Sequence, residues 1–459
     1  MSKDNQQSQF DRMTKTPIGR LIVTLSVPTV ISMMVTNIYN LVDTAYVGTL
    51  GTSASGAVGI VFGFMAILQA AGFLFGQGSG CIVARHLGNK DTDSADRVAS
   101  TGIVTVFGLG IVIAIICMCL LDPLVMALGS TTTIAPYAKT YIFYILLAAP
   151  FTVTSFTLNN VLRYEGRAAL GMVGLMVGAC LNILGDMVLI KYIGLGIAGA
   201  GISTAVSQVI SFSILLSMFL RGKTTCHISL KKCKFKMDII GDIVSTGFPS
   251  LIRQALNSIT TIMLNSQAAF YGGDQAVSAM SIVSRIVFFT FSIALGIGQG
   301  FQPVSGFNYG AKRYDRVKKG YWFTIGLAEV LLCLFAGIVF VKAEFLMGKF
   351  INDDVVIQIG KRALRLQCLA QIVMPFCMTT EMMLQSTRRK LAASILSAVR
   401  GGLVFIPVLF ILSRIRGISG IQEAQPVAFV VSAIPAVFYA IKFWKEIKEE
   451  EKLVDLEKR

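Results

Sequence analysis

Charge is scarce in this chain. Of 459 residues only 14% are Asp, Glu, Lys or Arg, against 54% hydrophobic. A soluble protein of this length carries nearer a quarter charged residues. Histidine is almost missing: His86 and His227 are the only two, both in basic loops, which excludes a histidine-based metal site or triad. The nine cysteines are scattered, with Cys117, Cys119 and Cys180 inside apolar stretches and no metal-ligand spacing among them, so lone thiols fit better than a disulfide frame. No P-loop, nucleophile elbow, HExxH or zinc pattern occurs, which removes ATP as a drive and leaves nothing for an enzyme to work with. A cleavable leader is also missing, since the opening MSKDNQQSQFDRMTKTP is polar.

What is present is a series of apolar stretches of about 20 residues or more, each long enough to cross a bilayer as a helix. Their positions are 18–46, 55–84, 97–121, 134–163, 168–190, 196–221, 238–270, 275–307, 317–342, 355–387, 391–413 and 418–445. The net charge of +16 sits in short basic runs between them, where it orients helices and meets anionic head groups rather than nucleic acid. Alternate loops are rich in Lys and Arg. They include Lys3, Arg12, Lys15 and Arg20; Arg85 and Lys90; Arg163 and Arg167; the run from Arg221 through Lys231, Lys232, Lys234 and Lys236; Lys312 to Lys319; and Arg388 to Lys390. This predicts both termini and the long 222–237 loop on the cytoplasmic side of the membrane.

The chain also repeats itself. GQGSGCIVARHLGNK begins at Gly76 and GQGFQPVSGFNYGAK at Gly298, an offset of 222, and Pro28 pairs with Pro249 at nearly the same offset. Six segments per repeat give two parallel lobes. The expectation is an all-α polytopic protein of twelve transmembrane helices in two pseudo-symmetric six-helix lobes. The N-terminal lobe is expected at 1–222, the linker at 223–237, the C-terminal lobe at 238–447 and a charged tail at 448–459. Two such lobes suit alternating access, hence transport.

A carboxylate at the bilayer centre costs roughly 2.5–3.5 kcal/mol or more, so it must face protein or water and needs a partner or a proton. On segment 1, Thr36, Asn37, Asn40, Asp43 and Thr44 form one face by their three- and four-residue spacing. Asp186 and Asn182 lie one turn apart on segment 5, with Gly171, Gly174, Gly178 and Gly185 on roughly that face for close helix approach. Segment 6 adds Ser203, Thr204, Ser207 and Gln208. The other lobe lacks the acids, since Asp43 maps onto Leu264 and Asp186 onto Val408, although segment 7 keeps a neutral polar face with Gln254 and Asn257. Arg253 and Arg285 either bind carbonyls of a broken helix or pair with Glu381, and Glu329 and Arg400 call for similar pairing. Met378 and its neighbours, Met280 and Phe288 could line a hollow for apolar ligands, or fill a core.

These stretches resemble the multidrug and toxic compound extrusion (MATE) transporters over nearly the whole chain, in particular their MepA-like bacterial branch. The carrying motifs are LSVPTVISMMVTNIYNLVDTAYVGTLG, GQGSGCIVARHLGNKD, LNILGDMVLI, GIAGAGISTAVSQ, GFPSLIRQALNSI and GIGQGFQPVSGFNYGAKRYDRV. The resemblance implies a V-shaped, twelve-helix antiporter that exports cationic lipophilic drugs in exchange for H+ or Na+. It implies a cation-coupling site at Asp43, Asn182, Asp186 and Thr204, with Na+ possible at the two acids and no cofactor or resident metal. It further implies a bend near Pro28. The substrate cavity is expected from Asn37, Asn40, Gln254, Asn257, Met280, Phe288, Met378 and Glu381, and the protein is expected as a monomer in the lipid bilayer. The sequence departs from the family where another branch places a Glu, here Asn257, and after Gln425-Pro426, where Val427, Ala428 and Phe429 stand in place of an Asp. The alternative is a flippase or exporter of a lipid-linked or metabolite substrate.

Overall fold

A computed structural model describes residues 3–233 and 235–457; Lys234, one of the basic linker residues, lies outside the described residues, as do the side chains of 3–6. The described residues are almost all helical and contain no strand. In chain order the helices are α1 Lys3–Lys15, α2 Ile18–Gly48, α3 Thr52–Gly88, α4 Thr92–Cys119, α5 Leu121–Ala127, α6 Ala135–Tyr164, α7 Ala168–Asp186 and α8 Gly196–Leu220. After the linker come α9 Met237–Gly310, α10 Tyr314–Val341, α11 Ala343–Phe350, α12 Asp354–Ala370, α13 Met374–Ser386, α14 Lys390–Ala398, α15 Phe405–Arg416 and α16 Ile418–Glu457. π-helical turns at Met187–Tyr192 and Val399–Leu403 extend α7 and join α14 to α15.

Ten of these stretches are long and apolar enough to cross a membrane. One of them, α9, is two passages, because Gly273 at φ 59° interrupts its helical backbone. The pair α12–α13 supplies another, broken ahead of Pro375, whose ring would clash with the carbonyl of residue 371 in a continuous helix. Twelve passages result, as the apolar stretches require.

The duplication is written into the backbone as well as the sequence. Left-handed residues recur at the repeat offset: Gly51 with Gly273, Lys90 with Lys312, and Gly166 with Arg388. Each of the latter two pairs closes a helix in the same way. The Asp91 amide donates to the His86 carbonyl at 2.9 Å, and the Arg313 amide donates to that of Asn308 at 2.8 Å. Arg167 donates to Leu162 at 2.9 Å and Arg389 to Leu384 at 3.0 Å. This six-residue closure satisfies carbonyls that a helix end leaves bare.

Contacts divide the chain into two units: Met1–Lys15 with Ile31–Leu251, and Thr16–Val30 with Ile252–Arg459. These contact units follow the expected blocks 1–222 and 238–447 except for two short segments that are exchanged. The first half of α2 packs in the second unit and the start of α9 in the first, and each crossover follows two residues after a proline, Pro28 or Pro249. The linker lies on the first unit. Glu165 accepts from the amides of Thr225 (2.7 Å) and Cys226 (3.1 Å), while Asp96 accepts from the His227 amide and the Lys232 ammonium, both at 2.7 Å.

Candidate functional site

Within the first unit, α2, α6, α7 and α8 bring one polar cluster together. The hydroxyl-bearing face of α8 lies against the glycine face of α7, and a methyl group at position 185 would collide with the Ser203 side chain. The helices are knitted by hydroxyl-to-carbonyl hydrogen bonds, Ser203 Oγ to the Asn182 carbonyl at 2.9 Å and Ser211 Oγ to that of Gly174 at 3.0 Å. Small residues let the backbones approach so that such bonds can form in lipid. The Asn182 amide donates to Thr204 Oγ1 at 3.1 Å and to Ser203 Oγ at 3.4 Å.

Asp43, Asn182, Asp186 and Thr204 are all buried, Asp186 completely. The carboxyl groups of Asp43 and Asp186 adjoin each other within hydrogen-bonding reach. Yet Asp43 Oδ1, both Asp186 oxygens and Asn182 Oδ1 are buried without a well-formed hydrogen bond among the described residues, with the Ser203 hydroxyl the near neighbour of Asp186. A buried acceptor left unsatisfied costs about 1–3 kcal/mol, more when charged. Oxygen acceptors alone, without a cationic side chain, are what a proton or a bare monovalent cation would satisfy. Beside them is a cavity of about 20 Å³ lined by Tyr39, Ser155, Asn182, Thr204, Ser207 and Gln208 among others. That is room for one water-sized guest.

Asp43, Asn182, Asp186 and Thr204, the four residues at which the resemblance implies a coupling site, thus lie together in the first unit. Two aromatic neighbours were missed. Tyr141 on α6 lies beside Thr204 and near Asp43, and Tyr39 lies near Asp43 one turn before it on α2. The four-residue spacing of Tyr39 and Asp43 is a legible signal, whereas nothing in the pattern around Tyr141 marks it.

The residues expected to line a substrate cavity are spread more widely. Asn37 and Asn40 are half-buried on α2 in the first unit. In the second unit Gln254 is half-buried and Asn257 exposed, while Phe288 is exposed and stacked with Phe291 at 5.9 Å. Met280 is core-packed with Leu264 and Leu409, and Met378 packs in a separate cluster with Met374 and Met382. Glu381 is fully buried and engaged: Arg253 Nη1 donates to Oε1 at 2.7 Å, Arg400 Nη2 donates to Oε2 at 2.8 Å, and Ser397 Oγ also donates to Oε1. Arg285 is exposed, and Glu329 accepts a 3.5 Å contact from the Cys333 thiol. Among the described residues no three His, Cys, Asp or Glu side chains gather as a metal site. Pro28 sits inside α2, buried.

A family model, MatE, matches residues 28–188 and again residues 249–411, so each match begins at one of the crossover prolines. This chain belongs to the MatE family. A curated relative of this MatE protein is the multidrug export protein MepA of Staphylococcus aureus, 27% identical over 438 residues that cover 95% of each chain. Among solved structures, a multidrug resistance MATE family transporter of the MOP superfamily in an outward-facing conformation is similar with a TM-score of 0.91. It is 26% identical and the match covers 95% of this chain and 98% of that one. A MATE in a bent conformation is similar at 0.90, 26% identical, over 97% and 99% of the two chains. The chain is thus a multi-pass membrane protein of a multidrug efflux transporter family.

Proposed function

We propose that this protein is an ion-coupled antiporter that expels cationic lipophilic small molecules in exchange for H+ or Na+, with Asp43 and Asp186 as the coupling site. The observation that carries this is the adjoining pair of buried acids, three of whose four oxygens have no well-formed hydrogen bond and none a cationic partner, next to Asn182 and Thr204. Such a pair is stable only when it holds a proton or a cation, so its occupancy follows the gradient. One charge crossing ~100 mV supplies ~2.3 kcal/mol, enough to concentrate a solute usefully with one or two ions. Occupancy removes charge repulsion between α2 and α7 and lets α2 repack around Pro28. Release on the other side reverses the change, and a cationic drug competes for the same carboxylates. In this reading the protein sits in a bacterial cytoplasmic membrane as a monomer with both termini inside. A flippase for a lipid-linked precursor would need inward-facing arginines for an anionic head group, for which Arg253 and Arg285 are the candidates, and the first of these is held by Glu381.

Purified protein in vesicles, loaded with ethidium and given an imposed pH or Na+ gradient, tests the reading and identifies the ion. Wild type moves dye only with one gradient. Asp43→Asn and Asp186→Asn should both stop it, and undiminished gradient-dependent export by the two variants would end the proposal.

A further inference from the structure

In the second unit a cleft of about 630 Å³ opens between the start of α10 and the last part of α16. The chain has two tryptophans, Trp322 and Trp444, and both line this cleft, with Lys318, Lys319 and Lys448 beside them. The Trp444 indole is held edge-on by Tyr321 at 5.4 Å and by Phe443 at 4.9 Å. Its N–H is buried with no acceptor among the described residues. Indole nitrogen is a donor only, and the half-buried Trp444 ring would have to turn to bring its N–H to an acceptor in the cleft. Two carboxylates, Asp315 and Glu451, also border the cleft, but Asp315 faces Arg313 at 3.5 Å. None of the three lysines has a carboxylate within ion-pair distance among the described residues.

The location bears on what fills it. α16 has 40 residues, so it is about 60 Å long, twice the ~30 Å hydrocarbon core. Its segment 444–451 therefore lies where the helix leaves the lipid, and tryptophans concentrate at that level. Exposed apolar side chains, Phe323 and Val330 on α10 and Phe438 and Ile441 on α16, run on from the cleft along the same two helices. Cationic side chains and an indole donor at the boundary, continued by an apolar strip, match a phosphate head group with acyl chains attached.

We propose that this cleft binds the phosphate head group of an anionic phospholipid, with the lysines around the phosphate, the Trp444 N–H donated to one of its oxygens, and the acyl chains along the apolar strip. A free phosphate would use the lysines but not the strip. A zwitterionic lipid would bring its own cation against them.

The two tryptophans make the site self-reporting. The full-length protein is reconstituted in phosphatidylcholine nanodiscs and its tryptophan emission followed as brominated phosphatidylglycerol or brominated phosphatidylcholine is titrated in. Wild type should reach half-quenching at a mole fraction of the anionic lipid roughly five-fold lower than of the neutral one, about the effect of one effective lysine. The triple variant Lys318→Gln, Lys319→Gln, Lys448→Gln should bring the two curves together, and Trp444→Phe should weaken the preference seen by Trp322. Superimposed curves in wild type, or a preference kept by the triple variant, overturn the proposal. So does loss of the preference on adding millimolar inorganic phosphate, which would assign the cleft to the free ion. Should the triple variant fail to fold, the wild-type curves and Trp444→Phe still decide.

Discussion

In the first unit Asp43, Asn182 and Asp186 lie together beside a small hollow that Asn182 lines, with no cationic side chain bonded to either acid. At an offset of 221 for Asp43, as for Pro28, and 222 for the others, the matching positions are Leu264, Val404 and Val408; Leu264 lies in one apolar core of the second unit and the two valines pack against it. The second unit does bury an acid, Glu381, but surrounds it with Arg253 and Arg400. One duplicated backbone thus carries two kinds of buried carboxylate. The first kind has no cationic partner, and in the proposed reading it takes an ion from solvent. The second has its charge balanced by the protein and has no reason to exchange anything. Paired burial holds a structure together, and unpaired burial holds a place open.

The contrast is broken most severely by removing the open acids. Asp186→Asn should reduce gradient-driven dye movement to the level of protein-free vesicles while leaving the thermal unfolding temperature in detergent unchanged or higher, because no protein partner is lost. The opposite pattern is expected of Glu381→Gln. Stripping the anion from between two buried guanidinium groups costs about 3–5 kcal/mol, read as a lowered unfolding temperature and poor recovery of folded protein. If the two variants behaved alike in both assays, the distinction between open and paired acids would be lost. Leu264→Ala, at the position matching Asp43, should cost about 2–5 kcal/mol as a core truncation without altering which gradient drives export; a changed ion dependence there would show coupling in both units.

The smallest effect sharpens the comparison outside the membrane. Glu165 follows α6, and its repeat counterpart is Thr387, whose hydroxyl donates to the Met383 carbonyl at 2.7 Å. Burial pushes the Glu165 carboxyl up to about 7, against the pull of the Thr225 and Cys226 amides and Arg167. A group that holds its proton more tightly when folded stabilises fully below its unfolded value, 4.5, and that stability is lost as pH rises through about 7. Wild type should therefore lose stability relative to Glu165→Gln as pH climbs across this window. A difference in unfolding temperature that stays flat from pH 4.5 to 8 would contradict the assignment.

Much of this was legible in the residues. Apolar runs set the passages because lipid admits little else, and the three- and four-residue spacing on α2 and α7 put the acids on facing sides. Other parts were legible but passed over. The segment of α1 reads only as a polar opening, yet Gln9 and Met13, four apart, are buried, and the Gln9 amide donates to the Glu165 carbonyl at 2.7 Å. The break before α13 is foreshadowed by Pro375, although Pro150, Pro426 and Pro435 stay inside helices. Choosing between such prolines takes tertiary context. The bridge from Glu381 to Arg400 and the approach of Tyr141 to Thr204 join segments far apart in sequence, and local periodicity does not encode partners of that kind.

The exchanged segments bear on how the chain can be divided. A gene cut within the loop after α8 would yield an upstream polypeptide missing residues 237–251 that complete its fold, and a downstream one deprived of Thr16–Val30. Neither product is a finished object. The two are complementary in the sense of a lock made in two castings, and synthesis in one cell is the condition under which either should mature.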